Sequence, residues 1–161
     1  MKSDLRSTAR KALRTYDLVL IVLLVLGAIF GIVTWLTPIP PSFVTLGPVR
    51  TSVVKIAATD ADRAAGARSL VLTGTQSVVF LWQYPTHTAF TMHKVTRPLD
   101  VAFIKDGRVI AVATMPPCTA AKQAQCPTYG PGYASFDAAV EATAGAFAQV
   151  KPGHTVFRDL H

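Results

Sequence analysis

Few side chains in this 161-residue chain carry chemistry beyond solubility, so they set the terms for everything else. Cys118 and Cys126 lie eight positions apart in the stretch MPPCTAAKQAQCPTYGP. A bridge between them would close about nine residues and stabilise the fold by about 2.5 kcal/mol through chain entropy. The alternatives are two unpaired thiols, a metal site completed by His87 and His93, or a redox dithiol. The last usually needs the tighter Cys-x-x-Cys spacing, so the bridge is the expectation. Asp100 and Glu141, the chain's only glutamate, are the one carboxylate pair that would suit a glycosidase. That chemistry needs the two roughly 5 to 10 Å apart. The plainer expectation is structural: Asp100 caps a strand or turn, and Glu141 satisfies backbone donors near a buried helix. His93 and Lys94 are neighbours on a strand-like segment, so they face opposite ways and cannot easily share one anion site. Phe80, Trp82, Tyr84 and Phe90 form an aromatic run. They read as strand core plus edge, with Trp82, Tyr84 and Phe90 as the candidates for a docking surface. No G-x-S-x-G, P-loop, G-x-G-x-x-G or H-E-x-x-H occurs in the chain. Neither a catalytic residue, a metal nor a cofactor is called for.

The elements that must position these groups are short. Thr51–Ala57 is rich in β-branched residues and suits a strand. Thr59–Arg68 opens with a Thr/Asp cap and suits a short helix. Val78–Trp82, Ala89–Met92, Val101–Ile104 and Val109–Ala113 read as strands of four or five residues. The segment Lys105-Asp106-Gly107-Arg108 is a hairpin signal, because Asp-Gly accepts the positive φ that matches strand twist. Asp137–Phe147 has an acidic start and an alanine-rich body, which predicts a second short helix. Residues 150–154 read as a turn, and Thr155–Phe157 as a strand closing the sheet. The class is mainly-β (α+β), sandwich- or barrel-like, with two short helices.

Before this domain the composition changes. Hydrophobic residues make up 50% of the chain and charged residues 16%, which excludes intrinsic disorder and points to a membrane segment. Leu18–Leu36 holds 19 residues with no charge. As a helix it would span about 28 Å, close to the hydrocarbon thickness of a bilayer. Tyr16 and Trp35 stand at its ends, where amphipathic rings prefer to lie. A cleaved signal peptide would have a shorter apolar core and a small-x-small site, whereas here bulky residues and prolines follow. Lys2, Arg6, Arg10, Lys11 and Arg14 precede the run, and only Arg50 is basic within the next 18 residues. The positive-inside bias therefore predicts a single span in the cell membrane, with a cytoplasmic arm at 1–17 and everything beyond residue 37 extracytoplasmic. Thr37–Pro48 has four prolines in twelve residues, and reads as a stiff stalk leading to an outer domain at 49–161.

One resemblance covers nearly all of that outer domain. Phe90-x-Met92, then Pro98-Leu99-Asp100-Val101-Ala102-Phe103-Ile104, Asp106-Gly107-Arg108-Val109-Ile110 and Met115-x-Pro117-Cys118, is similar to the conserved domain-of-unknown-function family number 192. Thr59-x-Ala61-Asp62-Arg63-Ala64-x-Gly66 resembles its first helix, and Tyr133, Ala139-x-Glu141, Ala144-Gly145 and Lys151-x-Gly153 its C-terminal part. The resemblance implies a compact mainly-β fold and no established activity. It also exposes departures. Thr91, His93, Lys94 and Val95 stand where the family usually reads Trp, Lys, Asn and Thr, and Ala67-Arg68 where it reads Leu-Met. A polar pocket at that place would have been rebuilt in this member.

Two functional classes follow. The first is a non-enzymatic single-pass protein whose outer domain docks on a membrane-protein partner, as an accessory subunit of a larger complex. The second is an envelope enzyme or ligand-binding module acting on glycan or another wall component. Nucleic acid is excluded by topology, since the domain lies outside. A flat apolar patch would favour docking, and a perturbed carboxyl in a concavity would favour the pocket.

Overall fold

The computed structural model describes residues 19–28 and 41–161. The chain divides into two units, Met1–Ile39 and Pro40–His161. In the first, residues 19–28 are helical and their side chains are exposed. Among the described residues no helix is long and apolar enough to cross a membrane. The basic arm, Leu18 and residues 29–36 of the apolar run, and residues 37–40 lie outside the described residues.

The second unit is mainly β. Its strands are β1 (Phe43–Leu46), β2 (Val49–Ala57), β3 (Gln76–Thr86), β4 (Phe90–Thr91), β5 (Leu99–Lys105), β6 (Arg108–Met115), β7 (Thr128–Tyr129), β8 (Phe136–Thr143) and β9 (Val156–Asp159). One short helix, α1 (Asp60–Ala65), and a 3-10 turn at Gln123–Gln125 complete it. Seven strands form one sheet in the order β6-β5-β8-β3-β2-β1-β9, and β4 pairs β7 in a separate ribbon. The sheet curls into a half-barrel until its two edges meet at one end. There the Val109 N–H donates to the His154 carbonyl at 2.9 Å, and the Val156 N–H to the Gly107 carbonyl at 2.8 Å.

Local chemistry accounts for most of these elements. Thr59 caps α1 by accepting from the Asp62 N–H at 3.1 Å, as the sequence predicts, and Gly66 ends it in a conformation with φ +54°. The parallel pairing of β2 with β3 needs a crossover, which α1 supplies. Asp106 and Gly107 both take positive φ, 49° and 71°, and make the tight β5–β6 hairpin expected of an Asp-Gly pair.

Three expectations change. Phe43–Leu46, counted with the stalk, is strand β1, paired to both β2 and β9. The prolines bracket this strand instead of filling it, so the folded unit begins before Val49. Ala89–Met92 yields only the two-residue β4. Asp137–Phe147 is not a helix: its first seven residues belong to β8, a central strand between β3 and β5. Alanine's helical preference is worth only a few tenths of a kcal/mol per residue, and burial on both faces outweighs it. Ala139 faces a core with Val78, Phe80, Val101 and Phe103. Ala138, Val140 and Ala142 face another with Val44, Leu46, Ile104 and Phe147.

Candidate functional site

The first of these cores is open on one side. α1, the residues that follow it, and the β4–β7 ribbon stand over strands β3 and β8, and between them lies a pocket of about 310 Å³. That is near the lower end of ordinary ligand-pocket volumes. Phe80, Trp82 and Phe90 wall it, and Glu141 reaches it from β8.

The placement of Glu141 follows from register. It is paired to Val78 on one side and Val101 on the other, so its sheet neighbours offer no side-chain donors. Among the described residues no hydrogen bond or ion pair reaches its carboxyl. Burial pushes its pKa up to about 8, which keeps it protonated at neutral pH. The expectation that Glu141 satisfies backbone donors near a helix therefore fails: it is on a strand, and its carboxyl faces the pocket without a protein partner among the described residues. Thr91 also lines the pocket, and its buried Oγ1 has no partner.

The other expected carboxylate has the opposite character. Asp100 is paired to Ala142, one position along β8 from Glu141, and so points to the far face of the sheet. There it accepts from Thr114 Oγ1 at 2.7 Å, the Gly145 N–H at 2.8 Å and the Phe147 N–H at 3.0 Å. It pins the turn after β8, as a structural cap. The two carboxylates do not form an acid–nucleophile pair.

The aromatic candidates separate as well. Trp82 and Phe90 are half-buried and packed on the core, whereas Tyr84 is 73% exposed. Phe80 and Phe90 meet edge-to-face at 4.9 Å, and Trp82 meets Phe136 the same way at 5.1 Å. Each such pair is worth about 0.5–1.5 kcal/mol beyond the area it buries. Arg63 lies over the Trp82 ring at 5.3 Å, with Phe80 stacked at 6.3 Å. Trp82 is thus part of the wall and not a free platform.

The remaining motif positions are structural. Met92 and Leu99 are buried in the first core. Pro98 is exposed, and its carbonyl accepts from the Ala144 N–H at 3.2 Å. Lys94 takes a φ of 63° in the turn after β4, and His93 bridges to Cys118. Cys118 and Cys126 stand at disulfide distance, with Cα atoms 5.8 Å apart. The loop they close carries the 3-10 turn, and with it Gln123, to the pocket rim. Among the described residues no cluster of His, Cys, Asp and Glu could hold a metal.

Sequence reasoning missed Gln123 as a pocket residue, and reached Arg68 only through its departure from the family pattern. Nothing in a glutamine inside a cysteine loop distinguishes it from solvated surface. Only the folded wall brings the two residues to the same opening.

The model of the DUF192 family, described as Uncharacterized ACR, COG1430, matches residues 44–157. The chain belongs to this family. The match takes in Glu141, Thr91 and both cysteines of the DUF192 domain. Among solved structures, a protein of unknown function from Novosphingobium aromaticivorans is 26% identical with a TM-score of 0.57. The alignment covers 73% of this chain and 83% of that one. A putative transcription regulator from Sinorhizobium meliloti is 16% identical with a TM-score of 0.59, covering 76% of this chain and 98% of that one. At that identity the second likeness shows the fold alone. No curated protein matches the chain.

Proposed function

We propose that this DUF192 domain is a small-molecule-binding module, held outside the cytoplasmic membrane by the Leu18–Leu36 span, with its ligand seated in the pocket over β3 and β8. The observation that carries this reading is the Glu141 carboxyl, buried and unpartnered on an aromatic-walled concavity. No protein group meets it among the described residues, so a polar atom of a ligand entering the pocket would be its partner. The unpartnered Thr91 hydroxyl at the same pocket adds to it. So do the departures noted in the sequence, since Ala67, Arg68, Thr91 and Val95 all line the pocket. A rebuilt lining in an unchanged fold is how a family adapts one pocket to a different ligand.

The docking alternative has less support. Trp82 and Phe90 are committed to the pocket wall and Tyr84 stands apart, so the three do not make one flat apolar patch. Binding is favoured over catalysis because Glu141 has no second titratable group bonded to it. The covered faces of Trp82 argue against sugar stacking within the wall-component alternative. The cysteine pair suits the oxidising compartment that the span implies.

Copurification tests the binding. The tagged full chain is taken from its own membranes in mild detergent, alongside Glu141→Leu and Ala64→Phe, the latter at an exposed residue lining the pocket. Small molecules released on denaturation are then compared by mass spectrometry. A compound held by the wild type and lost from both folded variants supports the reading. No compound differing between them, with a protein partner retained by all three, favours docking.

A further inference from the structure

The charge of the ligand can be read from which polar groups around the pocket are already committed. Arg63 is spent: its guanidinium donates to the Leu81 carbonyl at 2.7 Å and to the Ala58 carbonyl, and pairs with Asp60. That pairing also occupies Asp60, the other acidic residue on the lining. Thr88 shares a hydrogen bond with Thr86 at 2.8 Å. Four polar side chains lining the pocket make no side-chain hydrogen bond among the described residues: Arg68, Gln123, Thr91 and Glu141. Of these, Glu141 is flanked by valines and carries its proton at neutral pH. Arg68, exposed at the opening, is therefore the one uncompensated full charge of the lining among the described residues.

We infer that the pocket takes a small organic monoanion, a carboxylate with an aromatic or apolar body, whose charged end meets Arg68 at the mouth. The inference rests on the pocket being a ligand site. The body lies against Phe80 and Phe90, and a hydroxyl or amide on it meets Thr91 Oγ1 and the Glu141 carboxyl. A guanidinium matches a carboxylate with two parallel hydrogen bonds, whereas one free cation leaves a phosphate dianion half-compensated. The volume of about 310 Å³ equals that of about ten waters, which suits one ring and its substituents and not a polymer.

Three probes with one ring and different charge decide it: 4-hydroxyphenylacetate, its isosteric neutral amide, and the slightly smaller cation tyramine. Each is titrated calorimetrically into the full chain in detergent and into Arg68→Gln, Thr91→Val and Ala64→Phe. The anion is expected to bind tightest, with the amide about 10- to 100-fold weaker, the range of a charge-assisted hydrogen bond. Arg68→Gln should bring the anion down to the level of the amide while leaving the amide unchanged. Thr91→Val should weaken both. Equal binding of anion and amide, or indifference of the anion to Arg68→Gln, overturns the inference. So does tighter binding of tyramine, which would mean that Glu141 ionises against a cation, or binding of none of the three at millimolar concentration. Amide or tyramine binding as tight as the anion's or tighter, and abolished by Ala64→Phe, overturns the anion while leaving the pocket as the ligand site. Binding of every probe undisturbed by Ala64→Phe overturns both.

Discussion

Replacing Glu141 by glutamine should make the protein more stable, increasingly so as the pH rises. The carboxyl has a pKa of about 8 in the folded chain against an ordinary value of 4.5. The folded state thus holds this proton more tightly than the unfolded chain does. Below about pH 4.5 both states are protonated and the group costs nothing by ionising. Between pH 4.5 and 8 the unfolded chain gains from losing the proton and the folded chain does not, so stability falls. Each pKa unit corresponds to about 1.4 kcal/mol, which makes the loss of order 3 kcal/mol at pH 7 and about 4 kcal/mol at pH 8. Glutamine has the same shape and no charge to lose, so it imitates the permanently protonated acid. Urea unfolding of the detergent-solubilised full chain, followed by tryptophan fluorescence at pH 5, 6, 7 and 8, reads the difference directly. Wild type and Glu141→Gln should agree within about 1 kcal/mol at pH 5 and separate steadily above it. Contributions from groups other than residue 141 are common to both proteins and cancel in the difference. Parallel stability curves across this range would show that the carboxyl is solvated or paired, and the pocket reading would lose its main support.

Other expectations concern the supports of the site. Asp100→Ala removes three acceptor contacts and leaves the buried Phe147 N–H without a partner, so a loss of about 3 kcal/mol is expected in the same urea assay; a loss under 1 kcal/mol would contradict its role as a cap. The Cys118→Ser, Cys126→Ser double variant should lose about 2.5 kcal/mol and, because Gln123 rides on that loop, show faster hydrogen exchange around β4 and β7. Mass spectrometry of non-reduced protein, with free thiols alkylated first, should find both cysteines protected. A reporter fused after His161 should be active outside the cytoplasm; activity only inside would remove both the proposed topology and the compartment that suits the bridge.

What could be read from the sequence alone was local. The cap at Thr59, the Asp106-Gly107 turn and the β-branched runs depend on a few consecutive residues, so their chemistry is visible in the string. The family pattern, spread over ordered short motifs, likewise needed no coordinates. The segment 137–147 misled because its composition favours a helix, while its conformation is decided by β3 and β5, strands distant in sequence that bury it on both sides. The prolines around Phe43–Leu46 misled for the same reason, since β1 exists only because β2 and β9 flank it. The site was the least legible part. Asp100 and Glu141 are both single acidic residues in apolar surroundings, and nothing in the sequence sorts them. One step of strand register does, turning Asp100 toward three donors and Glu141 toward an aromatic pocket where no described donor bonds it. Arg68 and Gln123 become pocket residues only when a helix end and a cross-linked loop converge on one opening, because a pocket is a relation between distant segments and no single segment encodes it.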